Sequence, residues 1–311
     1  MTRVLFAGDP EDAEAWRDRL ISLKPDLDLT LDIEGTDPAS VDMLIYEANG
    51  TVKDLSPYAG VSVIQVLWAG VEAILGNPTL PDGPALCRMV EPGLTIGMTD
   101  YVVGHVLRVH LGMDLHRARQ ARREWSTDNP PLSTDRKVGI VGLGELGKDA
   151  AEKLAFLRFD VSGWSRSAKE IDGVRCLHGP QALETLLTES EILVLLAPLT
   201  PETENLLNAD RISAMRRGVH IINVARGPLI DDDALLAALD SGHVASATLD
   251  VFRTEPLPAE HPYWSHPSVT ISPHIASITR PDTAAKVVIE QIARLERGEP
   301  FAHVVDRKNG Y

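Results

Sequence analysis

The second half of the chain alternates short apolar runs with segments of helical length, and no other feature restricts the fold as strongly. The apolar runs predict strands at residues 137–141, 161–164, 192–196, 219–224, 246–249 and 269–271. A last helix is expected at 281–296. Strict alternation of strand and helix predicts a parallel sheet with helices on both faces, so the expected fold class is α/β.

The first half of the chain predicts a smaller α/β unit. Its buried strands are expected at 4–7, 43–46 and 63–67. Asp9 followed by Pro10 predicts a helix start with Asp9 as the N-cap. Apolar residues at helical spacing predict one long helix over 100–120, and the proline-containing polar segment at 129–131 indicates a boundary after it.

A glycine-rich turn follows the first strand of the second half. Gly142, Gly144 and Gly147 form the pattern G-x-G-x-x-G between an apolar strand and a helix. The first glycine permits the tight turn, the second lets the backbone approach a pyrophosphate, and the third lets the helix pack on the strand. In this context the pattern predicts a Rossmann-type doubly wound sheet that binds a dinucleotide at the helix N-terminus. A glycine-rich turn without a ligand is the alternative.

The end of the next strand indicates which dinucleotide is preferred. NAD-specific sites place Asp or Glu about 20 residues after the glycines, where it binds the ribose 2′-hydroxyl. Here Ser165, Arg166 and Ser167 stand at that point instead. A guanidinium can pair with a 2′-phosphate, and hydroxyl groups can add hydrogen bonds. NADP, used as NADPH, is therefore predicted over NAD; the alternative is a solvated surface Arg166 with NAD as the cofactor.

Three charged residues follow late strands of the predicted sheet. Arg226 follows the strand at 219–224, Glu255 lies in a proline-bounded loop after the strand at 246–249, and His274 directly follows the last strand. Ligands bind at the carboxyl ends of strands in such sheets. An Arg there can bind a carboxylate through two parallel hydrogen bonds, and a His held by a carboxylate can act as an acid or base. Each residue alone fits a structural role, but together they indicate an anion-binding catalytic site.

Composition narrows the expected partners. The formal charge is −15 and the pI is about 5.1, which disfavours nucleic acid and membrane surfaces. Two cysteines, Cys87 and Cys176, do not indicate a disulfide framework. The N-terminal residues lack a signal-peptide pattern, and the apolar stretches are too short to span a membrane. We therefore expect a cytoplasmic protein without a bound metal, acting on a small anionic substrate.

In this order, the motifs resemble those of the D-isomer-specific 2-hydroxyacid dehydrogenase family, and within it the glyoxylate/hydroxypyruvate reductase A group. The resemblance covers nearly the whole chain. Its motifs lie at 67–72, 142–147, 164–167, 223–227, 249–258, 273–280 and 305–311. The resemblance implies an NADPH-dependent reductase that converts small 2-oxo acids, such as glyoxylate and hydroxypyruvate, into 2-hydroxy acids.

The resemblance also implies a role for each candidate residue. Arg226 would bind the substrate carboxylate and polarise the 2-oxo group, and His274 would protonate the carbonyl oxygen. Glu255 would orient His274 and keep it protonated. The backbone amides of Ala69 and Gly70 would bind the other face of the carboxylate. The residues expected to contact the cofactor are Gly142, Leu143, Gly144, Glu145, Leu146, Gly147, Ser165, Arg166, Ser167, Pro198, Leu199, Thr203, Val224, Ala225, Asp250, His274 and Ala276.

The domain organisation implied by the resemblance is discontinuous. Residues 1–98 and 281–311 would form a flavodoxin-like substrate domain, and residues 99–280 would form an NAD(P)-binding domain inserted into it. The substrate would enter a cleft between these domains. The helix at 100–120 would carry the interface of a homodimer.

One segment departs from the pattern of the group. Tyr46 stands where the group tends to have Trp, so Tyr46 would line the substrate pocket and leaves the identity of the substrate open. Glu47 beside it adds a negative charge that an anionic substrate would disfavour unless the side chain points away.

Three alternatives of function remain open at this point. The chain could be a dinucleotide-sensing regulatory protein of the same fold, as some relatives are corepressors. It could be a sister dehydrogenase that acts on another small acid, such as formate or phosphite. A methyltransferase also uses a glycine-rich turn on an α/β sheet, but it gives Arg226, Glu255 and His274 no role.

Overall fold

The computed structural model describes residues 2–308 and 310, and it divides the chain into two compact units. Unit 1 comprises Met1–Leu94 and Ile278–Tyr311, and unit 2 comprises Thr95–Ser277. Asn309 and Tyr311, part of the C-terminal motif at 305–311, lie outside the described residues. The assignment of a substrate domain and a cofactor domain stays a prediction.

Strands and helices alternate along the described chain. In chain order they are β1 (Arg3–Ala7), α1 (Ala13–Leu23), β2 (Asp28–Thr30), β3 (Met43–Tyr46), β4 (Val63–Val66), α2 (Glu72–Leu75), β5 (Ala85–Cys87), α3 (Pro92–His110), α4 (Met113–Arg122), β6 (Lys137–Val141), α5 (Glu145–Phe156), β7 (Asp160–Ser165), β8 (Arg175–His178), α6 (Pro180–Glu189), β9 (Ile192–Leu195), α7 (Ala209–Ala214), β10 (Val219–Asn223), α8 (Asp232–Asp240), β11 (Val244–Leu249), β12 (Val269–Ile271) and α9 (Pro281–Arg297).

Unit 1 is built on a parallel sheet in the order β2-β1-β3-β4-β5. Successive side chains of its strands enter two hydrophobic clusters. One contains Trp16 of α1 and Val288 of α9, and the other contains Leu44 and Ile64. Because both faces of a strand such as β3 are covered by apolar side chains, all four of its residues are buried. The strand order is that of flavodoxin-like sheets.

Unit 2 is built on a parallel sheet in the order β12-β11-β10-β9-β6-β7-β8. Two hydrophobic clusters include its strand residues, and α3 and α5 contribute to one of them, whereas α6 and α8 contribute to the other. The chain proceeds from β6 outwards to β8 and then returns to β9 on the other side of β6. This reversal of strand order is the place where doubly wound sheets bind their ligands, at the carboxyl ends of the strands. The predicted α/β class and the Rossmann-type sheet are confirmed.

The predicted helix start at Asp9 is wrong, because Asp9 has other partners. Its Oδ1 accepts a hydrogen bond from the Glu11 amide at 3.0 Å, and its Oδ2 accepts one from Asn49 Nδ2 at 3.1 Å. These bonds hold a turn, and α1 begins only at Ala13 with Asp12 as the N-cap.

The single helix predicted over 100–120 is in fact two helices. Gly112 adopts a left-handed conformation with φ of +61°, which ends α3 before α4 begins. Glycine takes this conformation without the steric cost of a Cβ. The start of α3 was also placed too late, since the Glu91 carboxylate accepts hydrogen bonds from the Gly93 and Leu94 amides and so caps the helix at Pro92.

Three short strands were not predicted from the sequence. The edge strands β2, β5 and β8 contain three or four residues each. In β2 and β8 the side chains are at most half-buried, so these strands lack the continuous apolar run that marks a central strand.

His220 on β10 makes the stability of the fold depend on pH. Burial, followed by the charge of Arg136, lowers the pKa of His220 to about 4, although Asp114 and Glu191 oppose the shift. A histidine in an unfolded chain titrates near 6.5. As the pH falls, the unfolded chain therefore binds the proton before the folded chain does. The contribution of neutral His220 to stability is complete above about pH 6.5 and is lost as the pH falls towards 4.

We expect the free energy of unfolding to fall by about 2 kcal/mol through His220 between about pH 7 and about pH 5. Urea unfolding at the two pH values measures it. In His220→Gln, which keeps a polar group near Ser246 but does not titrate, the loss should be smaller by that amount. An equal loss in both proteins would contradict the assignment to His220.

Candidate active site

The glycine turn lies between β6 and α5, at the reversal of strand order. Gly142 has a φ of +107°, and a Cβ there would lie 2.5 Å from the Ala197 amide nitrogen, so only glycine fits. A Cβ on Gly147 would overlap the Gly142 carbonyl oxygen, which is why α5 can pack so closely on the turn. An added Cβ on Gly144 meets nothing within 4 Å. The turn therefore leaves open space beside the first residues of α5.

The start of α5 fits a dinucleotide pyrophosphate. Helices leave their first amide groups without intrahelical acceptors, and Gly144 at the N-cap has no side chain to satisfy them. These amides and the helix dipole favour an anion. Leu143 is buried in the core, so at that residue only the backbone is available to a ligand, whereas Glu145 is exposed and Leu146 is partly buried.

The segment after β7 carries the residues predicted to select NADP. Ser165 is buried, and its hydroxyl donates to the Ser167 carbonyl oxygen at 2.7 Å, so it shapes the turn. Arg166 is exposed and interacts electrostatically with Glu202. The structure therefore leaves Arg166, rather than Ser165, as the group of this segment most accessible to a ligand.

The loop after β9 is held by Thr203. Its hydroxyl donates to the Pro198 carbonyl oxygen at 2.7 Å and accepts from the Thr200 amide at 2.7 Å. Thr203 therefore fixes the backbone around Pro198 and Leu199, next to the strand that precedes the glycine turn. The side chains of Val224, Ala225 and Ala276, also predicted to contact the cofactor, are at least nine-tenths buried among apolar residues, so only their backbone atoms remain for such a contact.

Arg226 lies in the loop that follows β10. Buried Asn223 shapes this loop, since its Oδ1 accepts from the Ala225 amide at 3.1 Å and its Nδ2 donates to the Arg226 carbonyl oxygen at 3.0 Å. A Cβ on Gly227 would overlap the backbone of Phe252, so the loop after β10 packs directly on the loop after β11. Arg226 is half-buried, and its Nη1 donates to the Ala225 carbonyl oxygen at 2.7 Å.

Glu255 and His274 form a hydrogen-bonded pair. Glu255 Oε2 lies 2.8 Å from His274 Nδ1, and Glu255 Oε1 accepts from the Phe252 amide at 2.8 Å. Both oxygens of the carboxylate are thus engaged, which fixes its orientation. The bond to Nδ1 orients the imidazole ring and leaves Nε2 available. His274 is 45 % exposed, so Nε2 is accessible to a small molecule.

Asp250 holds the loop that carries His274. Its carboxylate accepts hydrogen bonds from the amides of Ile275 and Ala276, each at 2.9 Å, and from the Ser272 hydroxyl at 2.6 Å. Asp250 is 1 % exposed, so these bonds compensate a buried charge. The resemblance implied that Asp250 lies near the nicotinamide. In the structure the same side chain holds the 272–276 loop.

In unit 1, the backbone carbonyl groups of the segment that follows β4 accept hydrogen bonds from other parts of the unit. Thr279 Oγ1 donates to the Leu67 carbonyl oxygen at 2.6 Å, and the Met89 amide donates to the Trp68 carbonyl oxygen at 3.0 Å. The amides of Ala69 and Gly70 donate to no other residue in the part of the chain that the structure describes. These two amides are thus available to a carboxylate, as the resemblance implies.

Tyr46 is buried rather than exposed. Its side chain is 2 % exposed within a hydrophobic cluster of unit 1, and burial raises its pKa, although the nearby Asn77 side chain opposes the rise. This position gives no support to a pocket-lining role. Glu47 is also buried; it accepts a hydrogen bond from the Asp9 amide at 2.7 Å, and burial raises its pKa.

The described residues contain no group of three or more His, Cys, Asp or Glu side chains that could hold a metal ion. None of their helices has both the length and the apolar character needed to cross a membrane.

Comparisons with known proteins match this geometry. Residues 103–276 match the model of the D-isomer specific 2-hydroxyacid dehydrogenase, NAD binding domain. The chain is 42 % identical over 250 residues to the glyoxylate/hydroxypyruvate reductase A of Yersinia enterocolitica, covering 79 % of this chain and 80 % of that one. The reductase A of Photorhabdus laumondii is 40 % identical over 262 residues, covering 83 % and 84 % of the two chains.

Two solved structures resemble the whole chain. A D-isomer specific 2-hydroxyacid dehydrogenase from Xanthobacter autotrophicus, in complex with NADPH and MES, has a TM-score of 0.95 at 38 % identity and covers 100 % of this chain and 99 % of its own. An NADPH-dependent glyoxylate/hydroxypyruvate reductase from Sinorhizobium meliloti, in complex with NADP and sulfate, has a TM-score of 0.92 at 33 % identity and covers 100 % of both chains.

The fold and the site thus define an oxidoreductase built on a dinucleotide-binding sheet. The chain belongs to the D-isomer specific 2-hydroxyacid dehydrogenase family, whose members are NAD(P)-dependent enzymes. The family resemblance inferred from the sequence motifs is confirmed.

Proposed function

We propose that the chain is an NADPH-dependent reductase that converts glyoxylate and hydroxypyruvate into the corresponding 2-hydroxy acids. The observation that carries this proposal is the 2.8 Å pair of His274 and Glu255, which presents an oriented imidazole at the carboxyl end of β12. The names of the relatives that are 40–42 % identical supply the substrate class. The NADPH and NADP bound to the similar solved structures supply the cofactor class.

Arg226 is the proposed anchor of the substrate. Its planar guanidinium binds the substrate carboxylate through two parallel hydrogen bonds, which also orients the neighbouring 2-oxo group. The fixed loop between Asn223 and Gly227 limits the freedom of Arg226 and so lowers the entropy lost on binding.

His274 is the proposed proton donor. Bound NADPH supplies the hydride that reaches C2 of the substrate. The bond from Nδ1 to Glu255 leaves the second proton of the imidazolium on Nε2, and this proton passes to the carbonyl oxygen. Carbon gains a hydride and oxygen gains a proton, so the product is the 2-hydroxy acid. Glu255 Oε2, 2.8 Å from Nδ1, holds the ring in the orientation from which Nε2 donates.

Arg166 is the proposed selector of NADPH. It is exposed at the carboxyl end of β7, and the segment 165–167 contains no carboxylate that would repel a 2′-phosphate. A guanidinium pairs with phosphate through charge-assisted hydrogen bonds. Ser167 adds a hydroxyl donor, whereas the hydroxyl of Ser165 is already used within the turn.

Substitution of Gly144 tests the cofactor site through the affinity for NADPH, without an activity assay. Gly144 has extended backbone angles that alanine also adopts, and its added Cβ meets no protein atom, so Gly144→Ala should fold normally. The methyl group would occupy the space expected for the pyrophosphate. We expect the Kd for NADPH, measured by fluorescence titration, to rise roughly 10-fold, the equivalent of one or two lost hydrogen bonds.

The matched control for this change is Gly104→Ala. Gly104 lies in α3, and its added Cβ also meets nothing within 4 Å. Its Kd for NADPH should equal that of the wild type. Unchanged NADPH affinity in Gly144→Ala would remove the glycine turn from the cofactor site.

The proposed function is tested by measuring the consumption of NADPH and, separately, of NADH by absorbance. The acids supplied are glyoxylate, hydroxypyruvate, pyruvate and phenylpyruvate. We expect NADPH to be consumed fastest with the first two acids. Arg166→Ala should lose most of the preference for NADPH over NADH while keeping its activity with NADH, because only the 2′-phosphate contact is removed. Preference of the wild type for NADH would contradict the role of Arg166. Cofactor binding without turnover of any acid would contradict the proposed activity and favour a sensor.

A homodimer through α4 is part of the proposal. None of the described residues of α4 is buried, and its apolar residues Met113 and Leu115 are about half exposed. Trp125, beyond the helix, is 96 % exposed. Apolar side chains on an otherwise charged helix indicate a surface that another copy covers. Sedimentation equilibrium should give a dimer, and replacing Met113 and Leu115 by Gln should shift it towards the monomer.

A further inference from the structure

A chain of side-chain hydrogen bonds connects helix α3 to the buried carboxylate under the His274 loop. Tyr101 Oη lies 2.5 Å from Ser272 Oγ, and Ser272 Oγ lies 2.6 Å from Asp250 Oδ1. All three residues belong to unit 2. None of the steps proposed above for the reaction uses Tyr101 or Ser272.

The chemistry of the three groups fixes the direction of each bond. The Asp250 carboxylate only accepts, so the single proton of the Ser272 hydroxyl points to Asp250. Ser272 then has only lone pairs to offer, and the Tyr101 hydroxyl must donate to Ser272. Donors aligned in this way polarise one another, which strengthens the bond that reaches the carboxylate.

Asp250 in turn determines the backbone of His274. The His274 amide donates to the Asp250 carbonyl oxygen at 2.8 Å, and the next two amides donate to the Asp250 carboxylate. His274 has a φ of +55°, a left-handed conformation that costs free energy for any residue with a Cβ. A loop in this conformation persists only if its surroundings hold it, and the bonds to Asp250 lie on both sides of His274.

We propose that Tyr101 and Ser272 are positioning residues for His274, which act through Asp250 by holding the 272–276 loop in its left-handed turn. This inference rests on the proposed role of His274 as the proton donor. Removing either hydroxyl weakens the hydrogen bonding of the buried Asp250 carboxylate, so the turn at 272–276 opens more often. The anchor of the substrate carboxylate, Arg226, lies in a different loop and is not altered.

Kinetics of Tyr101→Phe, Ser272→Ala and the double variant test the proposal. For Tyr101→Phe we expect kcat with glyoxylate to fall about 10-fold, the order expected for one hydrogen bond that supports a charged group. KM for glyoxylate and Kd for NADPH should not change. The double variant should be no slower than Ser272→Ala alone, because Tyr101 reaches Asp250 only through Ser272. Ser272→Thr restores a hydroxyl and should recover kcat.

The control is Tyr58→Phe, which removes the hydroxyl of a buried tyrosine in unit 1 and should keep the wild-type kcat. Wild-type kcat in Tyr101→Phe, or losses that multiply in the double variant, would overturn the proposal. A uniform loss of kcat, substrate affinity and thermal stability would also overturn it, because it would indicate a merely structural contact.

A second measurement separates this inference from the proposed function. Amide hydrogen exchange of Ile275 and Ala276 reports the opening of the loop in the protein without substrate. Both amides should exchange about 10-fold faster in Tyr101→Phe and Ser272→Ala than in the wild type. If the wild-type protein reduces no 2-oxo acid but these amides still respond, the proposed function fails and the hydrogen-bond chain stands. If the amides do not respond, the chain does not hold the loop.

Discussion

His274→Ala is expected to lower kcat for glyoxylate reduction by about 10²–10⁴-fold, the usual contribution of a single acid–base group. The variant loses the imidazole that Glu255 orients at 2.8 Å, and the alanine methyl group has no proton to donate in its place. Steady-state assays at saturating NADPH measure the loss. NADPH affinity should be retained, because the glycine turn lies on a different strand.

A matched control for this variant lies at the other end of the same strand. His266 precedes β12, whereas His274 follows it, so His266 lies at the amino edge of the sheet, away from the expected ligands. His266→Asn should keep the wild-type kcat. Equal turnover of His274→Ala and the wild type would show that another group donates the proton.

Arg226→Lys is expected to lower kcat/KM for glyoxylate by roughly 10–100-fold, because a lysine ammonium keeps the charge but not the planar pair of donors. Most of the effect should appear in KM, with a smaller part in kcat from the less well oriented 2-oxo group. Arg226→Ala should lose about 10³-fold or more, since the substrate carboxylate then has no cation at this end of β10.

Arg216→Lys is the matched control for Arg226→Lys. Arg216 precedes β10, is about half exposed and pairs only loosely with Glu191 at 3.8 Å. Its substitution should leave kcat/KM unchanged. If Arg226→Lys behaves like Arg216→Lys, the substrate carboxylate is bound elsewhere, and the Ala69 and Gly70 amides become the stronger candidates.

Much of the fold could be predicted because central parallel strands are buried on both faces. The central runs at 43–46 and 137–141 were located to the residue, since turn residues bound each apolar run. The edge strand at 269–271 was also located to the residue, although its side chains are only partly buried. The edge strand β8 was missed because its residues face solvent on one side and show no such run. The break at Gly112 was missed because the apolar spacing of α3 continues through it in the sequence.

The site could be predicted only in part. Arg226, Glu255 and His274 could be proposed from their positions after strands. Only the family resemblance implied that Glu255 orients His274, because their separation in sequence does not show that they touch. The contact depends on how the loops after β11 and β12 pack, which local patterns do not encode. Tyr101 and Ser272 carried no signal, because a tyrosine in a helix and a serine after a strand are common in any α/β protein.

Transfer of deuterium shows whether the chain delivers a hydride from NADPH to a 2-oxo acid. The wild-type protein is incubated with glyoxylate and with NADPH that carries deuterium at the transferable position of the nicotinamide, and the glycolate formed is analysed by mass spectrometry. We expect glycolate that has gained one deuterium on C2, with His274→Ala forming it far more slowly at equal NADPH occupancy. Glycolate without deuterium, or NADPH binding with no glycolate at all, would contradict it.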